Sequence, residues 1–374
     1  MKISEMLVRE DFYSILKATL NRNRNLLGFL DGPIEINERG KDCVLFVNPQ
    51  LNAIMASHPS REVVNFLRKE YNVKGSLWRR WSVKFYLFFA TLFVRFFSET
   101  GISILYGKDI KNILIYPCNK KIRLFDFSKG IVFIVLKENF PDTYIERDIK
   151  FREENHNNFI LPILNAQKGS YTERIIQGRS LARINDVFYV EQSKRKALEL
   201  IMSLTTNNDN VCVKDYIESL SRECCQLLNR KPSFLNAHVV QHVFECLAEV
   251  NAAERCQLVI SHGDLQLGNI WIDDENGQLI IIDWETVKKR SRFYDYVTLY
   301  LNIRQSVDIQ NIYDMILRDE GLKSNLCQCS IETVARIVLA EELVYQTEEL
   351  ISFPQDIGIN KYTYILNEYT KLKL

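Results

Sequence analysis

The chain has 374 residues, of which 47% are hydrophobic and 25% are charged; this is ordinary for a folded globular protein and gives enough chain for two or three domains. The formal net charge is only +1 and no long run of like charge occurs, so composition gives no support for nucleic-acid binding. The nine cysteines include no Cys-x-x-Cys pair typical of zinc sites, and we expect no signal peptide, reduced thiols and a cytoplasmic location.

Residues 1–110 are predicted to form a folded N-terminal extension whose role the sequence does not define. Residues 43–47 are apolar and precede Asn48-Pro49, which predicts a strand followed by a turn. Residues 60–71 have a helical pattern with Ser60 as the N-cap.

An aromatic and basic segment at residues 78–97 allows two interpretations. No charge occurs between Phe85 and Val94, and this run is shorter than the roughly 20 residues that a membrane-spanning helix needs. Basic residues and tryptophans flank the run, which is typical of a helix that lies in the plane of a membrane surface. Short apolar runs more often belong to a protein core, and we favour that interpretation. The alternative predicts peripheral contact with the inner face of a membrane through 78–97.

Three consecutive strands are predicted between residues 113 and 137. Apolar runs alternate there with short polar turns, and the third strand ends at Lys137. This order is typical of an antiparallel meander. The charged residues 142–155 then predict a helix, and two more strands are predicted at 159–164 and 170–176.

The C-terminal half is predicted to be mostly helical. Four segments carry apolar residues at three- and four-residue spacing: 193–204, 213–228, 234–250 and 331–351. His238 and His242 lie four apart on one of these helices and could bind a metal. The glutamate of zinc proteases is missing between them, so we favour a helix-face pair without metal.

Two polar motifs follow apolar runs in this half. His262-Gly263-Asp264 comes after the strand predicted at 258–260, with Asn269 five residues beyond Asp264. Asp283-Trp284-Glu285 comes after the apolar residues 279–282. Asn276-Gly277 between two apolar runs predicts a hairpin that brings Asp283 back beside Asn269.

Two carboxylates and one amide at this spacing suit phosphoryl transfer from a nucleotide. That reaction depends on positioning and charge neutralisation more than on covalent catalysis. One carboxylate takes the proton of the acceptor hydroxyl, and two oxygen ligands hold Mg²⁺, which prefers oxygen donors. Asp264 fits the first task, and Asn269 and Asp283 fit the second.

The segments 262–270 and 281–285 together resemble the aminoglycoside phosphotransferase and choline kinase group, which are protein-kinase-like kinases of small molecules. The resemblance implies an α+β, bilobal fold: an antiparallel β N-lobe at 111–177 and a helical C-lobe at 178–374, preceded by the extension. It implies ATP and Mg²⁺ as cofactors and a hydroxyl of a small molecule as the phosphate acceptor.

The resemblance also assigns the remaining site residues. Lys137 is expected to contact the α- and β-phosphates, and Glu146 is the first choice as its partner, with Asp148 second and Glu153 third. The adenine is expected near Ile175 and Ile176. His262 supports the catalytic loop, Asp295 braces it, and Glu285 either braces the site or faces the substrate.

The turn at residues 117–121 departs from the family pattern. A phosphate-covering turn usually contains glycine, so that the backbone can approach the phosphates. This turn has none, and Lys120 and Lys121 are expected to contact phosphate through their side chains instead. The departure favours an alternative, a catalytically inactive kinase-like module that binds a nucleotide or a protein. A third hypothesis, a membrane-peripheral scaffold, does not explain the motifs. The oligomeric state cannot be read from the sequence.

Overall fold

The computed structural model describes two compact units within the chain. The first comprises Met1–Val190 and Ile270–Glu285, and the second comprises Glu191–Asn269 and Thr286–Leu374. The structure describes the following residues: 2–27, 32–37, 43–71, 76–98, 100–103, 110–206, 209–231, 237–305, 308–326, 328–352 and 355–374.

The first unit is built on a nine-stranded antiparallel sheet in the order β1-β4-β2-β3-β5-β6-β7-β9-β8. Its strands are β1 (Glu35–Asn37), β2 (Leu45–Asn48), β3 (Ala53–Ala56), β4 (Thr100–Ser103), β5 (Ile113–Pro117), β6 (Lys121–Asp126), β7 (Ile131–Leu136), β8 (Ile163–Gln167) and β9 (Ser170–Arg174). The sheet is the scaffold from which the functional side chains of this unit project.

Both faces of this sheet are apolar, and helices pack on each of them. Successive residues of a strand point to opposite faces. Ile122 and Leu124 therefore pack with α1 (Ile3–Arg9) and α2 (Phe12–Arg22), whereas Phe125 packs on the other face. The helices on that second face are α4 (Arg61–Glu70), α5 (Leu77–Leu92) and α6 (Thr143–Glu154), and the short α3 spans Arg24–Leu27.

A smaller antiparallel sheet in the same unit carries one of the polar motifs. It contains β10 (Gly178–Ser180), β13 (Ile270–Asp273) and β14 (Leu279–Ile281). The predicted hairpin between β13 and β14 is confirmed, and Gly277 has the φ of 68° that its turn requires.

The second unit combines a three-stranded antiparallel sheet with helices. The strands are β11 (Asp209–Cys212), β12 (Arg255–Ser261) and β15 (Lys288–Ser291), with β12 in the centre. Helix α7 (Val187–Met202) begins in the last residues of the first unit and continues into the second. The other helices are α8 (Val213–Asn229), α9 (Ala237–Leu247), α10 (Tyr294–Tyr296), α11 (Ile309–Arg318), α12 (Glu320–Lys323), α13 (Ile331–Ile351) and α14 (Gln355–Thr370). The core of this unit is formed mainly by α8 and by α13, of whose 21 residues 13 are buried.

The α+β class is confirmed, with the long sheet in the N-terminal part and the helices in the C-terminal part. The helix that begins after Ser60 is present, and the Ser60 hydroxyl accepts a hydrogen bond from the Val63 amide. The strand predicted at 159–164 is displaced, since β8 begins only at Ile163. Residues 234–236 of one predicted helix lie outside the described residues.

The N-terminal extension does not form a separate layer. Strands β1 to β4 continue the same sheet, and β3 pairs directly with β5. The expected boundary near residue 110 therefore falls within one sheet. Among the described helices, none combines the length and the apolar character that crossing a bilayer would need.

Strands β10 and β13 lie so close together at Gly178 that this position has no room for a side chain. A Cβ atom at this position would lie 2.0 Å from the carbonyl oxygen of Ile272, which is fixed in the sheet. We expect Gly178→Ala to lower the free energy of unfolding by about 3 kcal/mol, as overpacking of fixed backbone does. Denaturant unfolding checks this. Gly268→Ala is the control, because its Cβ would meet no atom within 4 Å. Equal stability of the two variants would contradict the prediction.

Candidate active site

A cluster of buried and half-buried charges lies at the start of β6 in the first unit. The Lys121 ammonium contacts the Asp283 carboxylate directly and lies 2.8 Å from Glu285 and 3.8 Å from Asp148. The neighbouring Lys120 contacts Glu285 at 3.3 Å, and Arg123 lies 3.6 Å from Asp283. These six side chains, three basic and three acidic, are called the Lys121 cluster below.

Three elements of the first unit position the Lys121 cluster. Lys121 and Arg123 alternate along β6 on the face that packs against α6, and α6 contributes Asp148. Asp283 follows β14 and has a φ of 73°, a left-handed conformation that is uncommon outside glycine and often marks functional sites. Trp284 anchors this turn, because its indole N–H donates to the Ile281 carbonyl and its ring packs on Phe151.

The charge state of Lys121 follows from its neighbours. Burial alone would lower the pKa of its ammonium, but the carboxylates of Asp283 and Glu285 outweigh this effect and raise the pKa of Lys121 well above its ordinary value. Lys121 is therefore a permanent buried cation beside the aspartate that the motif predicts as a metal ligand.

The predicted ion pair between Lys137 and Glu146 is wrong. Lys137 follows Leu136, so strand alternation turns it to the face covered by α1 and α2. There its ammonium contacts Glu10 at 2.6 Å and the Met6 sulfur at 3.0 Å. Burial lowers the pKa of Lys137, and Glu10 offsets only part of this effect.

Asp148, the second choice as the partner of the phosphate-binding lysine, lies in the Lys121 cluster. Glu146 is exposed on α6, whereas Asp148 is fully buried and accepts a hydrogen bond from the Tyr171 hydroxyl at 2.7 Å. The carboxylate of Asp148 thus faces Lys121. Of the two lysines expected at the turn, Lys120 also lies over the ring of Tyr144, at 3.8 Å from its centroid.

The residues predicted to contact adenine line a small cavity of about 70 Å³ in the first unit, whose walls combine apolar side chains with four charged ones, Glu70, Arg123, Glu173 and Arg174. Ile175 and Ile176 share this cavity with Trp271 and Ile282. Phe66 from α4 also lines it, a contribution from the N-terminal extension that the sequence did not predict. The Ile175 amide donates to the Gly130 carbonyl, so this amide is already occupied.

In the second unit, Asp295 braces the loop after β12, as predicted. Its carboxylate accepts hydrogen bonds from the backbone amides of His262 and Gly263 at 2.8 and 2.9 Å. It also accepts one from the Ser261 hydroxyl at 3.0 Å. A buried aspartate thus satisfies the amides of a tight turn that has no secondary-structure partners for them.

His262 and Gly263 each have a structural reason for their identity. His262 is fully buried, and its Nδ1 accepts a hydrogen bond from the Asp264 amide at 3.2 Å, which agrees with a supporting role for the ring. Gly263 has a φ of 81°, and a Cβ there would lie 2.3 Å from the Arg290 guanidinium. These constraints set the path that the chain takes into Asp264.

Arg304 holds the Asp264 carboxylate, and sequence reasoning missed this residue. One guanidinium nitrogen contacts the carboxylate, another contacts the Gly263 carbonyl, and the guanidinium stacks 3.5 Å from the Tyr345 ring centroid. Glu342 lies 3.7 Å from the same guanidinium. Arg304 is 40 residues from Asp264 and has no motif around it, so no sequence signal could have found it.

Asn269 in the second unit and Asp283 in the first each carry a side-chain oxygen of the kind that Mg²⁺ prefers. The Asn269 side-chain amide donates to the Asp264 carbonyl at 2.9 Å, which leaves its amide oxygen as a possible ligand. Asp283 supplies carboxylate oxygens. Within the described parts of the chain, no three His, Cys, Asp or Glu side chains form a metal-binding group. A magnesium ion held by two protein oxygens, water and nucleotide phosphates needs no such group.

Comparison with known proteins supports the predicted resemblance. Residues 213–323 match the family model described as the phosphotransferase enzyme family, and this segment includes Asp264, Asn269 and Asp283. No curated protein matches the sequence.

Several solved structures are similar to this chain. An ethanolamine kinase of Plasmodium vivax is 14% identical, with 86% of this chain and 98% of that chain covered and a TM-score of 0.44. A thermostable mutant of the aminoglycoside phosphotransferase APH(4)-Ia is 14% identical, with 69% and 92% covered and a TM-score of 0.46. A GDP complex of aminoglycoside 2'-phosphotransferase-IIIa is 16% identical, with 68% and 90% covered and a TM-score of 0.42.

The match over residues 213–323 supports the resemblance to the aminoglycoside phosphotransferase and choline kinase group for that part of the chain. The family match supports a small-molecule phosphotransferase.

Glu341 on α13 supports the strand beside β12. Its buried carboxylate accepts hydrogen bonds from the Ser291 hydroxyl and the Tyr216 hydroxyl, both at 2.7 Å. Burial raises the pKa of Glu341 from an ordinary value of 4.5 to about 7, although these hydrogen bonds lower it. Ser291 pairs with Leu258 of β12, so Glu341 acts on the strand that leads to His262.

This raised pKa predicts a pH dependence of stability. Between pH 4.5 and about 7 the folded state holds a proton on Glu341 that the unfolded state has lost, so rising pH lowers the free energy of unfolding across this window. The free energy of unfolding that Glu341 loses as the pH rises through this window is about 3 kcal/mol. In Glu341→Gln we expect the free energy of unfolding to depend less on pH than in the wild type, which denaturant unfolding at pH 5 and pH 7.5 measures.

Glu332→Gln is the matched control, because Glu332 is exposed on the first turn of the same helix. It should leave the pH dependence unchanged. A curve for Glu341→Gln that parallels the wild-type curve would contradict the assignment.

Proposed function

We propose that the protein is an ATP-dependent phosphotransferase that moves the γ-phosphate to a hydroxyl group of a small molecule. The observation that carries this proposal is the pairing of the buried Lys121 with Asp283, the first residue of the second motif. A fixed cation beside a metal-binding carboxylate is the arrangement that neutralises nucleotide phosphates.

Asp264 is proposed as the base. Its carboxylate takes the proton of the acceptor hydroxyl while the oxygen of that hydroxyl forms a bond to the γ-phosphorus. The bond between this phosphorus and the β–γ bridging oxygen breaks, and ADP leaves with the electron pair. Arg304 fixes the orientation of Asp264, since one side-chain contact and the contact to Gly263 together immobilise the carboxylate relative to the loop.

Asn269 and Asp283 are proposed to hold Mg²⁺, which when bound neutralises charge on the nucleotide phosphates. Lys121 is proposed to take the phosphate-binding role that the resemblance assigned to Lys137, with Lys120 beside it. The side chains of these two lysines replace the backbone amides of a glycine-containing turn. Ile175 and Ile176 are proposed to contact the adenine.

The acceptor proposed is a sugar, an amino sugar or an amino alcohol, including glycan or lipid-linked precursors of these classes. A cytoplasmic location agrees with the need for ATP. The second candidate, an inactive module that binds a nucleotide or a protein, is favoured only by the glycine-free turn at residues 117–121. The intact Asp264, Asn269 and Asp283 favour an active enzyme.

The two lysines can be separated by substitution. Lys121→Met removes a charged hydrogen-bond donor to phosphate, and we expect ATP binding in the presence of Mg²⁺ to weaken about tenfold or more. Lys137→Met should leave ATP affinity unchanged but lower the free energy of unfolding by about 3 kcal/mol, because it breaks a buried ion pair. Both variants break a buried ion pair and should lower the free energy of unfolding, so calorimetric titration of ATP on the folded variants is the measurement that separates them. Reversed results would return the phosphate-binding role to Lys137.

The base is tested by Asp264→Asn. We expect ADP formation to fall by about 10²- to 10⁴-fold while ATP affinity changes little, because only the proton acceptor is lost. ADP release is measured with choline, ethanolamine, aminoglycosides and simple sugars as acceptors.

Asp274→Asn is the control for that experiment, since Asp274 is an exposed residue of the β13–β14 turn that pairs with Lys69. It should keep full activity. Equal rates for wild type and Asp264→Asn would refute the role of Asp264. A wild type that binds ATP but forms no ADP with any acceptor would favour the inactive module.

A further inference from the structure

Helix α5 presents an apolar stripe to solvent. Its residues follow one another at steps of four, four, three and four, which places them along one side of a helix. Trp81 is 69% exposed and Phe85 is 67% exposed, and Trp78 beside them is 82% exposed. The members of the stripe are Leu77, Trp81, Phe85, Phe88 and Leu92.

The opposite side of α5 is packed into the first unit. Leu87 and Ala90 are buried there in the cluster that also contains Leu67 of α4 and Phe46 of the sheet. The stripe is therefore the free side of a helix that is already anchored. An exposed apolar surface of this kind marks an interaction site.

The segment around the stripe is basic, and helical spacing places Arg80 and Lys84 along one edge of the stripe. The sequence from 71 to 98 contains five basic residues and no Asp or Glu. Four of the five lie in the described part of the chain: Arg79, Arg80, Lys84 and Arg95. None of these four has a carboxylate within 4.0 Å among the described residues.

The geometry of α5 fits a position in the plane of a membrane surface. Its 16 residues span only about 24 Å, less than the roughly 30 Å of a bilayer core. Because its buried side is fixed to the protein, the helix can immerse only its outer side. Tryptophan at one end and cationic side chains along the edges are typical of helices at the boundary between headgroups and acyl chains.

We propose that α5 docks the protein on an anionic lipid surface, with the stripe among the acyl chains and the flanking cations at the lipid headgroups. This inference does not depend on the phosphotransferase activity. A second copy of the chain is a less suitable occupant, because two stripes face to face would bring the unpaired cations of both copies together.

Vesicle flotation tests the proposal with the wild-type chain. We expect binding to vesicles of phosphatidylcholine mixed with phosphatidylglycerol, much weaker binding to phosphatidylcholine alone, and loss of part of the binding at high salt. A wild-type chain that does not float with the anionic vesicles overturns the proposal.

Substitutions locate the surface. Trp81→Ser combined with Phe85→Ser should lower the partition coefficient about 100-fold, because each immersed aromatic side chain contributes about tenfold or more. Phe188→Ser is the matched control, since Phe188 is 72% exposed on α7 and lies outside the stripe. Arg80→Glu with Lys84→Glu should lower the preference for anionic over neutral vesicles by about tenfold or more.

Thermal melting checks that each variant is folded, and we expect folded variants because every substituted side chain is on the surface. Wild-type partitioning by the Trp81 and Phe85 double variant, or equal loss in the Phe188 control, contradicts the proposal. Sedimentation velocity tests the alternative that a second copy of the chain binds the stripe. A dimer that the double variant dissociates, together with no vesicle binding, would assign the stripe to a second copy.

Discussion

The ammonium of Lys121 is buried, and a buried charge is stable only when opposite charges surround it. This requirement ties together three parts of the first unit that are distant in sequence: the start of β6, the middle of α6 and the turn after β14. Asp148, Asp283 and Glu285 together outweigh the cost of burying Lys121. The position of Asp283, and with it the second motif, follows from this interaction.

The second unit holds its motif by the same principle, with a buried carboxylate in addition to the cation. There a buried carboxylate, Asp295, satisfies the backbone amides of the loop, and a cation, Arg304, fixes the Asp264 carboxylate. In each unit a cation outside the motif fixes the carboxylate of a motif aspartate: Lys121 fixes Asp283, and Arg304 fixes Asp264. Catalysis of phosphoryl transfer depends on such fixed charges more than on bond-making by the protein.

The sequence predicted the helices, the meander and the hairpin of 270–281, because these depend on local periodicity and turn residues. It also predicted that Asp295 braces the loop. It failed for Lys137, since both faces of the sheet are apolar and a one-residue step decides which face a side chain takes. The choice of Glu146 over Asp148 failed for a related reason, because the buried side of α6 is set by tertiary packing. Arg304 depends on contacts 40 residues apart, which no local pattern contains.

The segment 78–97 shows the limit of composition as evidence. Its apolar residues occur on both sides of α5, so sequence alone could not separate a core helix from a membrane-surface helix. The structure assigns one side to each: Leu87 and Ala90 pack against the protein, whereas Trp81 and Phe85 face solvent. The overall net charge of +1 conceals the local excess of basic residues around this helix. Because electrostatic attraction to a surface decays within about 10 Å, it is the local charge that determines the partner.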